Sequence, residues 1–193
     1  MRKLCFAIAI LGLILSGCGK LRYSQLTPET KDFHPQRIAV LPVDVGPYAE
    51  ATGVIDQVIA GVLVDKGWFT DVVAADRINK QLQSNEELKT LVTDYLAKLR
   101  TVNFSDPALS AKIGELCRVD AFLVVTVDYW NYTRENEENL AKVGAGIKMV
   151  EAGTGDIAWK ATHYLPENYR IFKPELPDVA RSLFKKMLRY MPH

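Results

Sequence analysis

The stretch from Asp120 to Tyr132 constrains the fold of this chain more than any other segment. Its first half is uniformly apolar, whereas its second half alternates aromatic and polar residues. A continuous apolar run is typical of a strand buried on both faces, and alternation is typical of a strand with one exposed face. We therefore expect one long strand that begins in the centre of a sheet and ends at a more exposed position.

The remaining apolar patterns predict a mixed architecture around that strand. Residues 37–44 form a second apolar run, in which Pro42 ends the regular strand pairing. Residues 71–74 predict a short strand. Periodic apolar residues predict helices over 51–66, 76–83, 86–100 and within 174–191. A side-chain cap in Ser105-Asp106, with Pro107 at the first helical position, predicts a further helix over 107–117. The Gly-rich segment 152–155 predicts a hairpin between strands at 140–150 and 156–163, whereas the charged residues 133–139 predict a plain connection.

This order of elements indicates an α/β fold. Strands separated by helices pair in parallel through right-handed crossovers, and strands joined by short turns pair in antiparallel fashion. We expect a mixed sheet of about five strands, with the first strands parallel and the last three an antiparallel meander, and helices packed on it. Residues 37–193 are long enough to form this as a single domain.

The N-terminus has the pattern of an export signal. Arg2 and Lys3 precede an apolar run of about a dozen residues, which is shorter than the roughly 20 that a membrane-spanning helix needs. The run ends in Leu15-Ser16-Gly17-Cys18, which resembles the lipobox of bacterial lipoproteins. That resemblance implies a signal peptide over residues 1–17 and lipidation of Cys18. Residues 18–36 are polar and irregular and predict a lipidated tether.

The lipobox resemblance also implies a membrane. In lipoprotein sorting, an aspartate directly after the lipidated cysteine tends to retain the protein at the inner membrane, and here that residue is Gly19. We therefore expect a protein anchored by lipid to the outer membrane and facing the periplasm.

Charge argues against nucleic acid as a partner. The chain has 24 Lys and Arg against 23 Asp and Glu, so its formal net charge is only +1. Binding to phosphate backbones requires a basic patch that this balance does not suggest.

The residue pattern predicts no catalytic site, metal site or cofactor. The three histidines are far apart in sequence, and Cys117 reads as a buried structural thiol. Asp44 lies at the end of the apolar run 37–44, where α/β sheets place ligands, and Asp128 is expected near it on the long strand. Two such carboxylates could serve acid–base chemistry, but a solvated role at the strand ends is the favoured interpretation.

Trp130 and Tyr132 are the candidate partner-binding residues. Exposed aromatic residues at a strand end often anchor partners, although packing beneath the terminal helix is an open alternative. One of the two strands at 140–150 and 156–163 should form a sheet edge that a second chain can pair with. Lys142, Lys148 and Lys160 would discourage indiscriminate pairing at that edge.

Several segments together resemble a known family. They are Ile38–Pro42, Gly67–Phe69, Val119–Val125 and Gly153–Trp159, within a resemblance that covers roughly residues 37–165. The chain resembles the TolB N-terminal-like domains of envelope lipoproteins, a group that includes the curli-secretion lipoprotein. It is most similar to small surface-antigen lipoproteins of the Neisseria type. The resemblance implies the mixed α/β fold described above.

Three functions are open from the sequence. The first is a non-enzymatic, lipid-anchored accessory protein of the cell envelope, acting on envelope proteins or on copies of itself. The second is a subunit of an outer-membrane secretion or transport assembly. The third is an envelope protein that binds or hydrolyses a small ligand near Asp44 and Asp128.

Overall fold

A computed structural model describes residues 21–30 and 32–193 of the chain. The predicted signal peptide, Cys18 and Gly19 lie outside the described residues. Within the described part, no helix is both long enough and apolar enough to cross a bilayer.

A mixed sheet forms the centre of the fold. Its strands are β1 (Tyr23–Leu26), β2 (Arg37–Val40), β3 (Asp71–Val73), β4 (Ala121–Glu135), β5 (Glu138–Glu151) and β6 (Ile157–Tyr169). They lie in the order β1-β6-β5-β4-β2-β3. β2 pairs in parallel with β3 and β4, and β4, β5 and β6 form an antiparallel meander, as predicted.

In the part of the chain that the structure describes, five α-helices pack on this sheet. They are α1 (Val54–Lys66), α2 (Ala75–Ser84), α3 (Glu86–Thr101), α4 (Pro107–Cys117) and α5 (Leu176–Met187). α1 and α5 cover one face, where their buried residues join Leu123, Val125 and Ile147 of the sheet in one core. α2, α3 and α4 cover part of the other face, where Phe122 and Val150 lie in a second core.

Local signals in the sequence determine where the helices start and end. Gly67 ends α1 with a φ of 63°, a left-handed conformation that glycine adopts without strain. Asp106 begins α4: its Oδ1 accepts hydrogen bonds from the backbone N–H groups of Ala108 and Leu109, at 3.0 and 3.2 Å. Pro107 then occupies the first helical position, as the sequence predicts.

The main departure from the predicted fold is β1. Residues 18–36 were expected to be irregular throughout, yet Tyr23–Leu26 form a strand that pairs with β6 in antiparallel fashion. All four residues of β1 are exposed, so no buried pattern marks the strand in the sequence. Backbone pairing with β6 creates it, and the sheet has six strands within the described residues rather than about five.

The connection expected at residues 133–139 is instead a tight hairpin. β4 continues to Glu135 and β5 begins at Glu138, with only Asn136 and Glu137 between them. Both turn residues have positive φ, 48° and 65°, the backbone twist that two-residue hairpin loops require. β4 and β5 are therefore longer than the apolar pattern alone predicts.

Candidate functional site

Within residues 21–30 and 32–193, part of one sheet face has no helix over it. The face that carries α2, α3 and α4 is covered near β2, β3 and the first residues of β4. Farther along β4, β5 and β6, the side chains on this face are polar or small. They form two rows across the three strands: Val124, Lys148 and Lys160 in the first, and Thr126, Gly146 and Thr162 in the second.

A cavity of about 690 Å³ lies over these two rows. α3 supplies an apolar wall with Leu96 and Leu99, and the segment after β2 supplies Pro42 and Val43. Gly146 keeps the floor open, since a Cβ at this position would lie 2.8 Å from the hydroxyl oxygen of Thr126. The cavity is large enough for a small organic molecule.

The two aspartates predicted to lie near each other both line this cavity. A carboxylate oxygen of Asp44 lies 3.4 Å from a guanidinium nitrogen of Arg100, and the other accepts a hydrogen bond from the N–H of Gly46. Burial raises the pKa of the Asp128 carboxyl, and the positive charge of Arg22 partly opposes this. Asp44 is thus satisfied by an ion pair and a turn, in keeping with a structural role.

Two lysines face the same cavity and were not predicted to belong to a site. Lys148 and Lys160 are direct cross-strand partners on β5 and β6, and both line the cavity. Lys148 donates a hydrogen bond to the side-chain oxygen of Asn103 at 2.9 Å, and Lys160 lies over the ring of Tyr23, 5.7 Å from its centre. Burial and the charge of Lys160 lower the pKa of the Lys148 amine.

The edge-protecting role expected for these two lysines is wrong. β5 lies between β4 and β6, and at Lys160 the strand β6 is itself paired with Gln25 of β1. Neither lysine therefore stands on an open edge. Sequence reasoning missed their role because the strand that covers β6 has no buried pattern of its own.

The cysteine and the histidines of the described residues have structural contacts. Cys117 is buried, and burial raises the pKa of its thiol to about 11, as expected for a structural thiol. His34 and His163 bond to backbone groups, and His193 stacks on Trp68 with ring centres 3.8 Å apart. Among residues 21–30 and 32–193, no group of three His, Cys, Asp or Glu side chains is arranged to hold a metal ion.

Trp130 is buried, as in the alternative left open by the sequence, in which it packs beneath the terminal helix. The pairing of β4 with β5 shifts register between Val127 and Tyr129, so Asp128 is an extra residue in β4. An extra residue reverses which face each later side chain occupies. Trp130 therefore turns into the core beneath α5, where only 3% of it is exposed.

Tyr132 follows Trp130 onto the same face and is half-buried. Its hydroxyl donates a hydrogen bond to the carbonyl oxygen of Pro174 at 2.9 Å, and its ring meets that of Tyr169 edge-on. The amine of Lys173 lies 3.4 Å from the centre of the Tyr132 ring. These contacts fix the connection between β6 and α5, the packing alternative left open by the sequence.

The far halves of β4, β5 and β6 form a three-stranded arm, which comprises residues 129–135, 138–144 and 164–169. β2 pairs with β4 only as far as Leu123, apart from one bridge at Thr126, and β1 pairs with β6 only as far as Thr162. In the described chain, both outer strands of the arm thus lack a neighbouring strand. The edge expected on one of the strands at 140–150 and 156–163 is not found there, because β5 lies inside the sheet and β1 pairs with β6 from Trp159 to Thr162. Within the described residues, the open edge of β6 lies past Thr162 instead.

An exposed apolar pair lies directly beyond the arm. Ile171 and Phe172 follow β6 in the connection to α5, and they are 85% and 89% exposed. Large apolar side chains this exposed are unusual side by side, and they are typical of an interaction surface. The sequence pattern alone did not single them out.

Comparisons with known proteins place the fold. No protein-family model matches the chain, and no curated protein matches its sequence. A PelC dodecamer from Paraburkholderia phytofirmans aligns over 86% of this chain and 92% of its own, at 16% identity and a TM-score of 0.56. A single-substitution variant of that dodecamer aligns over 80% and 87%, at 18% identity and a TM-score of 0.52.

A lipoprotein from Neisseria meningitidis, GNA1162, shares the fold as well. It aligns over 79% of this chain and 97% of its own, at 14% identity and a TM-score of 0.50. At identities this low the likeness is one of fold. It confirms at that level the predicted similarity to Neisseria-type lipoproteins.

Proposed function

We propose that this chain is a non-enzymatic, lipid-anchored protein of the bacterial cell envelope that acts by assembling with copies of itself. The observation that carries this proposal is the three-stranded arm with its two open edges, next to the exposed pair Ile171 and Phe172. Open edges and apolar side chains are the two features that protein–protein contacts use.

Self-assembly is favoured over a different partner because of the fold. A protein with the same fold, PelC, forms a dodecamer. Its identity to this chain is only 16%, so the likeness supports assembly as a proposal and leaves the number of copies to measurement.

The anchor is the second part of the proposal. Leu15-Ser16-Gly17-Cys18 supports lipidation of Cys18, and Gly19 supports the outer membrane rather than the inner one. Several acyl chains would hold the protein firmly, since a single chain binds a bilayer only marginally. A Cys18→Ala protein is expected to lose metabolic palmitate label and to leave the membrane fraction. A retained label would contradict the lipobox interpretation, and co-sedimentation of the parent protein with inner-membrane markers would contradict the proposed membrane.

The assembly is tested on the full lipid-anchored protein, extracted in a mild uncharged detergent, by light scattering coupled to size exclusion. The parent protein should run as an oligomer. The double variant Ile171→Ser with Phe172→Ser should shift toward the monomer while its far-UV circular dichroism stays unchanged.

The matched control replaces another exposed pair, Val102→Ser with Phe104→Ser, at the end of α3. It should keep the parent mass, because these residues follow α3, which packs on the sheet face opposite to α5. A monomeric parent protein, or an oligomer that survives loss of Ile171 and Phe172, would refute assembly through this surface.

A further inference from the structure

The feature that the proposed assembly does not use is the cavity between α3 and the uncovered sheet face. It combines an apolar wall, two hydroxyl groups on its floor and a lysine pair. None of the residues that line the cavity belongs to the three-stranded arm or to the pair Ile171 and Phe172.

The lysine pair is unfavourable as it stands. Side chains on directly opposed residues of antiparallel strands have Cβ atoms only about 4.5–5.5 Å apart, and like charges at such positions destabilise a sheet. Lys148 and Lys160 occupy such positions. Among the side chains that the structure describes, neither makes a salt bridge to a carboxylate.

A structural role accounts for only part of this arrangement. The C-terminal end of α3 carries a partial negative charge, and Asn103 beside it accepts a hydrogen bond from Lys148. Among the described side chains, the amine of Lys160 contacts only the ring of Tyr23. By contrast, Lys142, on the same sheet face, has both a 3.0 Å salt bridge to Glu135 and a ring 4.4 Å away.

The cavity is also polarised along the strands. The lysines lie in the row of Val124, whereas Asp128 lies four residues farther along β4, roughly 13 Å away at about 3.4 Å per residue. An anion would therefore bind at the lysine end, and a negative charge on Asp128 would disfavour it at the other end, whereas Asp44 is paired with Arg100. Thr126 and Thr162 lie between, and the described structure gives neither hydroxyl a hydrogen-bond partner of its own.

We propose that this cavity binds a small amphipathic anion. Its phosphate or carboxylate head lies between the amines of Lys148 and Lys160, with the hydroxyls of Thr126 and Thr162 within reach. Its apolar part packs against Leu96 and Leu99 of α3. The anion relieves the repulsion between the two lysines, and the apolar wall selects against a bare inorganic ion.

The test is site-resolved acylation of lysines, read by mass spectrometry, on the full protein in uncharged detergent. The probes are hexyl phosphate, hexanoate and inorganic phosphate. Hexyl phosphate or hexanoate should slow acylation of Lys148 and Lys160 at least fivefold at saturation. Lys142 and Lys112, which lie outside the cavity, should react at unchanged rates. The tighter of the two amphipathic probes identifies the head group as a phosphate or a carboxylate.

Two lysine variants test which side chains bind the probe. Lys160→Met should raise the concentration of probe needed to protect Lys148 by about tenfold or more, the usual effect of losing one charged hydrogen bond. Lys142→Met, the matched control on the same face, should leave that concentration unchanged.

Three results would overturn the proposal. One is equal protection of all lysines by the amphipathic probes, and another is protection that survives Lys160→Met. The third is protection by inorganic phosphate at the same concentration as hexyl phosphate, because the apolar wall would then contribute nothing. The first and third results are measured on the parent protein, so they would overturn the proposal even if the Lys160→Met variant failed to fold.

Discussion

Trp130→Ala should strongly destabilise this protein, because the ring lies in the core beneath α5. Only 3% of Trp130 is exposed, and truncation of a buried tryptophan to alanine typically costs about 3–5 kcal/mol of unfolding free energy. Domains of this kind have a total stability of roughly 5–15 kcal/mol. The substitution should therefore remove a large share of it.

The expected size of the effect can be converted into a midpoint. With a urea dependence of about 2 kcal/mol per molar, a loss of about 4 kcal/mol lowers the urea midpoint by about 2 M. Unfolding is followed by far-UV circular dichroism on the full protein in uncharged detergent. Phe104→Ala is the control, an aromatic residue that is 53% exposed, and its midpoint should move by less than about 0.5 M.

The alternative for Trp130 predicts a different result. If the ring belonged to a surface that meets a partner, its truncation would weaken association and leave the urea midpoint of the folded chain close to that of the parent. A midpoint shift below about 0.5 M for Trp130→Ala would therefore refute its place in the core, and with it the bulge at Asp128 that puts it there.

Three further predictions concern the fold. Gly155→Val should cost about 1–3 kcal/mol, because φ is +78° and a Cβ would lie 2.8 Å from the backbone at the start of α4; Gly153→Val, in open space, is the control in the same urea assay. Cys117, whose thiol pKa burial raises to about 11, should react with a thiol reagent at pH 8 only when urea unfolds the chain; rapid labelling of the folded protein would contradict its burial. A hydrogen bond from Arg77 lowers the pKa of the Asp71 carboxyl. Asp71→Asn should therefore be less stable than the parent protein above about pH 4, and this difference should shrink as the pH falls through the folded pKa of Asp71. A difference in stability that did not change with pH would contradict the ion pair.

The elements that the sequence predicts well are those whose burial follows a simple rule. β2 and the first half of β4 are covered on both faces, so each appears as a continuous apolar run. α1 ends at a glycine and α4 begins with aspartate and proline, and these local signals act without help from the rest of the fold. The meander followed from its second turn, at residues 152–155.

The elements that the sequence missed depend on contacts between distant segments. The bulge at Asp128 adds one residue to β4, and the residues around it carry no signal that distinguishes a regular strand from a bulged one. The sequence therefore left open whether Trp130 is exposed or packs beneath the terminal helix, and the extra residue decides for the core. β1 was missed because an exposed strand needs only the backbone of β6 as its partner, and backbone pairing leaves no pattern of side chains.

The candidate ligand site was half visible in the sequence. Asp44 and Asp128 could be placed near each other, since one follows a central strand and the other lies on its neighbour. The lysine pair could not, because the pairing of Lys148 with Lys160 depends on the register of β5 and β6. Whether that face is open depends further on where α3 ends, at Thr101, relative to the strands beneath it.

The two proposed surfaces share no residue, and so each can be removed without the other. Ile171 and Phe172 belong to the connection that leads to α5, and α5 packs on the face opposite the cavity. Loss of that pair should change the mass of the assembly and leave protection of Lys148 intact. Lys160→Met should weaken protection of Lys148 and leave the mass of the assembly unchanged. If instead each change abolished both properties, the cavity would have to lie within the contact between copies, and the ligand and the assembly would be a single site.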